Sequence, residues 1–199
     1  MSHPIYFDTH IIAEIPHSLE NMRILDIGCG YGNLARLILS YRYDSFKKNP
    51  PAIIGVDIDL KKLTYLRNYS NYQELILADG RCLPFRNKTY NIVLAIELIE
   101  HVSKEDGYTI IKELERVTTN KIIVTTPNGF EPCLGHKSAW SYSELGKLGF
   151  NVYGIGSKLN HKIKNEKIKF LLYLIHTPLS YIVPFLGACL IATKYLKSS

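Results

Sequence analysis

Residues 25–32 read Leu25-Asp26-Ile27-Gly28-Cys29-Gly30-Tyr31-Gly32, and this segment is the strongest indication of the fold in the sequence. It ends the mostly apolar run 23–27, which predicts a buried strand, and precedes residues 33–39, whose apolar spacing predicts a helix. A tight turn from strand to helix needs positive φ angles or close backbone approach, and glycine permits both. The spacing G-x-G-x-G departs from the G-x-G-x-x-G fingerprint that holds a pyrophosphate. Asp26 at this corner suits an ammonium group better than a phosphate.

Short apolar runs alternate with amphipathic stretches beyond this turn. The pattern predicts strands at 23–27, 52–56, 75–78, 91–96, 121–125 and 150–155, and helices at 33–39, 60–69, 104–117 and 141–148. Strands that are apolar throughout are typical of a parallel sheet covered by helices on both faces. The sequence therefore predicts an α/β fold in which ligands bind at the carboxyl ends of the strands.

Two more acids follow predicted strands. Asp57 ends the second strand, where a carboxylate can accept hydrogen bonds from both hydroxyls of a ribose. Asp79 and Gly80 follow the third strand, where a carboxylate and a free backbone amide can read an adenine edge. Together with Asp26, these acids describe a site for a cationic nucleoside.

These motifs resemble, in family order, those of the class I S-adenosylmethionine-dependent methyltransferases, and in particular the type 11-like group. The resemblance covers residues 22–156 and includes the run Tyr90-Asn91-Ile92-Val93, in which Asn91 stands where the family commonly has Asp. It implies a Rossmann-like seven-stranded, mostly parallel sheet with an antiparallel last strand, and S-adenosyl-L-methionine as the cofactor. The cofactor-binding residues that it implies are Asp26, Gly28, Cys29, Gly30, Asp57, Ile58, Asp79, Gly80 and Ile96.

A second polar group follows the fourth strand. Glu97, Glu100 and His101 stand at i, i+3 and i+4, so a helix would place all three on one face. In one interpretation, His101 or Glu97 is a general base or orients the acceptor. In another, the three bind a divalent cation together with His136, a pattern that resembles the metal-dependent O-methyltransferases of quinone precursors and of small-RNA 3′ ends. In the third, these side chains only cap and hydrogen-bond the site.

The net charge of +6 is not spread over the chain. Residues 1–157 carry 17 Lys or Arg and 17 Asp or Glu, whereas residues 158–199 carry seven and one. This basic tail contains the uncharged run Phe170 to Thr193, which Pro178 and Pro184 divide. The prolines disfavour a membrane-spanning helix. The family resemblance instead implies one or two helices over Lys169 to Ile182, followed by the last strand. Lysines beside exposed apolar side chains leave peripheral membrane contact as a further alternative.

Composition narrows the class of protein. An apolar content of 46% over 199 residues excludes a disordered chain, and four cysteines without a C-x-x-C pair exclude a disulfide-stapled mini-protein. The start of the chain shows no signal peptide, so we expect a cytoplasmic protein. We expect one domain over 1–199, made of a cap segment 1–20, a cofactor-binding core 22–156, a helical lid insertion 158–186 and a last strand 187–195.

The expected activity is methyl transfer to a small or lipid-like acceptor, with oxygen as the methylated atom. RNA methylation at the 2′-oxygen is an alternative, with the basic tail contacting phosphates. A third alternative is a partner subunit that binds S-adenosylmethionine without catalysis. The sequence specifies neither the acceptor nor an oligomeric state.

Overall fold

The computed structural model describes residues 5–42, 49–68, 71–129, 135–156, 158 and 165–196. Residues 1–4 of the predicted cap segment and 159–164 of the predicted lid insertion lie outside the described residues. The division of the chain into cap, core and lid stays a prediction.

One seven-stranded sheet organises the described chain. Its strands are β1 (Arg23–Ile27), β2 (Ala52–Asp57), β3 (Glu74–Leu77), β4 (Tyr90–Ile96), β5 (Thr118–Pro127), β6 (Asn151–Ile155) and β7 (Cys189–Tyr195). The spatial order is β3-β2-β1-β4-β5-β7-β6, in which β7 runs antiparallel to both of its neighbours and the other pairs are parallel. The predicted fold class is therefore confirmed, including the antiparallel last strand.

Helices cover both faces of the sheet. They are α1 (Ile5–Glu14), α2 (Asn33–Arg42), α3 (Leu60–Arg67), α4 (Lys104–Val117), α5 (Tyr142–Lys147) and α6 (Glu166–Ile182). Ile110 and Leu114 of α4 are buried in one apolar cluster, and Ile11 of α1 and Ile38 of α2 are buried in a second. The sheet supplies side chains to both clusters, which accounts for strands that are apolar throughout.

Polar side chains set where two of these helices begin. The Ser103 hydroxyl accepts from the Asp106 N–H at the start of α4. Ser141 and Glu144 form a capping box at the start of α5. Such caps satisfy N–H groups that have no partner within the helix. Both helices connect strands whose carboxyl ends frame the site, so the caps help to fix the position of the adjoining loops.

The basic tail forms α6, a 3-10 turn over Pro184–Leu186 and then β7. Helix α6 has 17 residues with Pro178 inside it. Within the described part of the chain, no helix has the length and apolar character needed to cross a membrane. The apolar run is thus divided between a helix at the edge of the sheet and a strand in its interior.

Candidate active site

The glycine turn between β1 and α2 has the backbone geometry that its sequence predicts. Gly28, Gly30 and Gly32 have φ angles of 71°, 55° and 78°. A Cβ on Gly28 would lie 2.9 Å from Leu98 Cδ1, whereas a Cβ on Gly30 would meet no atom closer than the Gly28 oxygen at 3.9 Å. The turn therefore packs tightly under Gly28 and leaves open space at Gly30.

Asp57 is held rigidly beside this turn. Its Oδ2 accepts from the Gly30 N–H at 2.9 Å, and its Oδ1 accepts from the Asp59 N–H at 2.8 Å. Each carboxylate oxygen keeps further acceptor capacity, so the side chain is positioned and can still accept two ligand hydroxyls. The next side chain, Ile58, is 68% exposed and gives an apolar surface at the same edge.

Asp26 lies beneath the turn and is buried. Burial raises the pKa of Asp26 to about 6, the charge of Asp57 adds to the rise, and a hydrogen bond donated by the Tyr72 hydroxyl opposes it. Sequence analysis missed Tyr72, which is 46 positions away and follows no motif. Burial also raises the pKa of the neighbouring Cys29 thiol, which favours its neutral form.

Asp79 already has a cationic partner. The Arg81 guanidinium contacts its carboxylate with Nη2 to Oδ2 at 2.6 Å and also reaches Asp106 at 3.2 Å. This contact holds the pKa of Asp79 below its usual range. The carboxylate expected at the adenine amine is therefore engaged by Arg81, two residues further along the chain.

The segment after β4 does not form the helix on which the expected shared face depends. Only a 3-10 turn is present, over Ile99–His101, and Glu97 precedes it with a φ of 51°. The Thr125 hydroxyl donates to Glu97 Oε1 at 3.0 Å, so the Glu97 side chain is held by β5. Glu97 therefore does not share a helical face with Glu100 and His101.

Glu100 is the most unusual side chain of the site. It is 2% exposed, and neither of its carboxylate oxygens makes a well-formed hydrogen bond among the described residues, although the Thr126 hydroxyl and the Glu97 carboxyl lie close enough to affect its pKa. Burial raises the pKa of Glu100 to about 8, and the charge of the nearby Glu97 adds to the rise. A buried carboxyl without partners is costly, so a ligand that satisfies it would be favoured.

Two histidines adjoin Glu100. The rings of His101 and His136 lie with their centroids 4.9 Å apart, and one ligand atom from each of Glu100, His101 and His136 falls within 4.8 Å of the others. His101 Nδ1 lies 3.1 Å from the Gly135 oxygen, and because a carbonyl only accepts, Nδ1 carries the proton and Nε2 is left with its lone pair. Burial lowers the pKa of His101, which favours the neutral ring.

Backbone contacts hold His136 beside this turn. The N–H groups of Lys137 and Ser138 donate to the backbone carbonyl oxygen of Glu100 at 2.7 and 3.1 Å. The Ser138 hydroxyl and the Trp140 indole N–H both donate to the Ile99 oxygen, at 3.0 and 3.2 Å. Trp140 is fully buried, so it packs beneath the site and does not line it. Sequence analysis missed the role of Ser138, for which no motif exists.

Comparison with known proteins agrees with the observed fold. Residues 24–121 match the family model described as a methyltransferase domain. The ubiquinone biosynthesis O-methyltransferase of Rhodopseudomonas palustris is 30% identical over 95 residues, which are 46% of this chain and 34% of that protein. The matched part of the chain spans 34% of the length of this relative and 49% of the length of an uncharacterised protein from Methanocaldococcus jannaschii, to which it is 25% identical over 126 residues.

Solved structures share the fold. The small RNA methyltransferase HEN1 superposes with a TM-score of 0.66 at 19% identity, over 98% of this chain and 25% of that one. An S-adenosylmethionine-dependent methyltransferase from Archaeoglobus fulgidus superposes with a TM-score of 0.61 at 16% identity, over 96% and 93% of the two chains. Residues 24–121 therefore match a methyltransferase domain, and the described chain shares the fold of a solved S-adenosylmethionine-dependent methyltransferase.

Proposed function

We propose that the chain transfers a methyl group from S-adenosylmethionine to a hydroxyl oxygen of its acceptor, with a divalent cation held by Glu100, His101 and His136. The observation that carries the proposal is the convergence of these three side chains around an unpartnered, buried carboxyl group. A carboxylate and two imidazoles suit a transition metal or zinc ion. The expected set of four ligands is reduced to three, because Thr125 holds Glu97.

The glycine turn fits the cofactor. S-adenosylmethionine supplies the methyl group as a sulfonium, which needs no further activation. Asp57 is placed to accept hydrogen bonds from the ribose hydroxyls, and Ile58 is placed to contact the adenine. The open space at Gly30 leaves room for the ligand. Asp26 is expected to attract the ammonium group, and Gly28 and Cys29 to line the methionine part.

The roles of Asp79, Gly80 and Ile96 stay predictions. Asp79 is expected to accept from the adenine amine only if its Arg81 contact rearranges, because that guanidinium now occupies the carboxylate. Gly80 lies next to Ile27 and Ile110: a Cβ at this position would lie 3.4 to 3.7 Å from their side chains. Ile96 is half-buried at the end of β4, where it is expected to flank the methionine part.

The histidine group suits a hydroxyl acceptor. A bound divalent cation lowers the pKa of a hydroxyl that coordinates it. The Gly135 carbonyl fixes the ring of His101 with Nε2 free, and neighbouring backbone contacts fix His136. Glu97 is held 3.0 Å from the Thr125 hydroxyl, so it is suited to orient the acceptor or to take its proton.

The acceptor is proposed to be small or lipid-like. One relative is an O-methyltransferase of ubiquinone biosynthesis and one similar structure is a small RNA methyltransferase, so both acceptor classes occur among similar proteins. Residues 1–157 carry no net charge, which favours a small acceptor over a nucleic acid at the site itself. RNA methylation at the 2′-oxygen remains the second candidate, supported by the basic tail.

A transfer assay with radiolabelled S-adenosylmethionine tests this proposal, with catechol and a short RNA duplex as acceptors. We expect label in catechol, an at least tenfold loss of rate with EDTA, and recovery on adding excess Mn²⁺. His136→Ala should lower the rate, and His17→Ala, at an exposed position, should not. An unchanged rate in EDTA would exclude the cation. Binding of S-adenosylmethionine without transfer to any acceptor would favour a non-catalytic subunit.

A further inference from the structure

One side of α6 is apolar and exposed. Ile168, Leu171, Leu179 and Ile182 share that side by their helical spacing, and they are 48%, 56%, 45% and 80% exposed. Phe185, in the turn that follows, is 60% exposed. A group of exposed apolar side chains often marks an interaction surface. We call these five residues the apolar ridge.

The other side of α6 is anchored to the protein. The Ser180 hydroxyl donates to the Gly154 oxygen of β6 at 3.1 Å. The Tyr181 ring stacks on Tyr153 with centroids 4.4 Å apart, and its hydroxyl donates to Glu14 Oε1 at 3.1 Å. The helix is therefore fixed by one side, and the apolar ridge faces outward.

The apolar ridge ends near the carboxyl ends of the strands, where the candidate site lies. The Asn128 side-chain amide, directly after β5, donates to the backbone oxygens of Pro184 and Gly187 at 2.9 and 2.8 Å. Glu97 and the glycine turn follow β4 and β1 at this same carboxyl edge. A surface that covered Ile182 and Phe185 would thus lie along the edge at which an acceptor reaches the protein.

Lysines flank the apolar ridge at both ends. Lys158 Nζ lies 4.8 Å from the centroid of the Phe185 ring, and Lys167 is exposed in the first turn of α6. The chain has no Asp or Glu after Glu166. Lysines beside exposed aliphatic and aromatic side chains match the headgroups and acyl boundary of an anionic bilayer.

We propose that the apolar ridge seats the protein on the surface of an anionic membrane. The helix lies along the interface with Ile182 and Phe185 below the headgroups, while Lys158 and Lys167 contact lipid phosphates and carboxylates. Its 17 residues and internal Pro178 suit a helix that lies on a bilayer and does not cross it. The proposal goes beyond methyl transfer and holds whatever the acceptor is.

Flotation with vesicles tests it in the absence of cofactor and acceptor, so that a negative result is independent of the methyl-transfer proposal. The full chain is mixed with phosphatidylcholine vesicles, with or without 30% phosphatidylserine. We expect binding to the anionic vesicles only, weakened by about tenfold or more in the double variant Ile182→Ser with Phe185→Ser. Tyr41→Ser is the matched control, because Tyr41 is a similarly exposed aromatic (55%) away from the ridge. Thermal melting confirms that each variant is folded.

Charge reversal supplies the second arm. Lys158→Glu with Lys167→Glu should weaken binding at least about fivefold, whereas the exposed pair Lys112→Glu with Lys147→Glu, of equal charge change, should not. Absence of vesicle binding, or equal loss in both pairs, overturns the proposal. It is also overturned if the ridge variants lose a protein partner but leave vesicle binding intact. Binding of RNA that depends on the lysines and not on Ile182 and Phe185 overturns it as well.

Discussion

Two groups of residues at the carboxyl edge of the sheet, the glycine corner and the histidine corner, are built in different ways. The glycine corner, made of Asp26, Gly28, Gly30 and Asp57, is built from backbone geometry, and both oxygens of Asp57 already accept backbone N–H groups. The histidine corner, made of Glu100, His101 and His136, is built from side chains, and the Glu100 oxygens have no partner among the described residues.

This difference in hydrogen bonding indicates how each corner would bind its ligand. A corner whose polar atoms are satisfied has a fixed shape, so it selects a ligand by fit and changes little on binding. A corner with a buried, unpartnered carboxyl is incomplete, so it gains stability when a cation or a proton satisfies that group. We therefore expect variants of the glycine corner to change cofactor affinity, and variants of the histidine corner to change the rate of transfer.

The largest effect should follow His101→Ala. Removal of the imidazole takes away a cation ligand or base, so the rate of transfer should fall by about a thousandfold. The dissociation constant for S-adenosylmethionine should stay within about twofold, because the glycine corner is untouched. Transfer assays and titration calorimetry measure the two quantities. An equal loss of cofactor affinity would remove the distinction between the corners.

The pH dependence of stability tests the burial of Asp26. Its pKa is raised to about 6, so the folded state binds this proton more tightly than the unfolded chain. Stability is therefore lost as pH rises between about 4 and 6, by about 3 kcal/mol when ionisation is complete. Urea unfolding of Asp26→Asn should lack this loss.

Asp79→Asn is the matched control for that experiment. Arg81 lowers the pKa of Asp79, so this carboxylate contributes stability that is lost as pH falls. The two variants should thus change the pH profile in opposite directions. A constant difference between Asp26→Asn and the unsubstituted protein across this range would contradict the assignment.

Asp57→Asn should weaken cofactor binding by about ten- to a hundredfold. The amide keeps one acceptor oxygen but loses the charge and one of the acceptors expected at the ribose. Asp59→Asn is the control, since Asn caps a helix as well as Asp does and the α3 cap should persist. Titration calorimetry with S-adenosylmethionine compares them, and equal affinities in the two variants would show that Asp57 does not face the ribose.

The smallest effect should follow Ser138→Ala. The Ser138 hydroxyl donates to the Ile99 oxygen, and Trp140 keeps its own bond to that oxygen, so the turn should loosen without unfolding. We expect about a tenfold loss of Mn²⁺ affinity. Ser40→Ala, at an exposed position on α2, should have no effect on Mn²⁺ affinity. An unchanged Mn²⁺ affinity in Ser138→Ala would mean that the bond from the Ser138 hydroxyl to the Ile99 oxygen does not position the histidines.

Local patterns predicted most of the fold and the glycine corner. The glycine spacing, the strand-end acids and the apolar runs each act over a few residues, and the observed sheet confirms the expected seven strands, mostly parallel, with an antiparallel last strand. Local patterns also located Glu100 and His101. The contact between Arg81 and Asp79 joins residues only two positions apart, so the sequence could also have predicted it.

The remaining features depend on tertiary contacts. The meeting of His101 with His136 follows from Lys137 and Ser138 bonding to the Glu100 carbonyl, and no local spacing encodes it. The left-handed backbone of Glu97 was not foreseeable, because Glu has no preference for positive φ. Tyr72, just before β3, reaches Asp26 of β1 across the intervening strand β2, where a Cβ on Gly55 would lie 3.1 Å from Tyr72 Cδ1.

Electron paramagnetic resonance titration of Mn²⁺ into the apo protein tests the proposed cation site most directly. We predict one bound Mn²⁺ per chain, lost in His136→Ala and retained in Asp57→Asn, because the ion belongs to the histidine corner alone. No bound Mn²⁺, or equal binding in the protein with and without His136→Ala, would contradict the proposal.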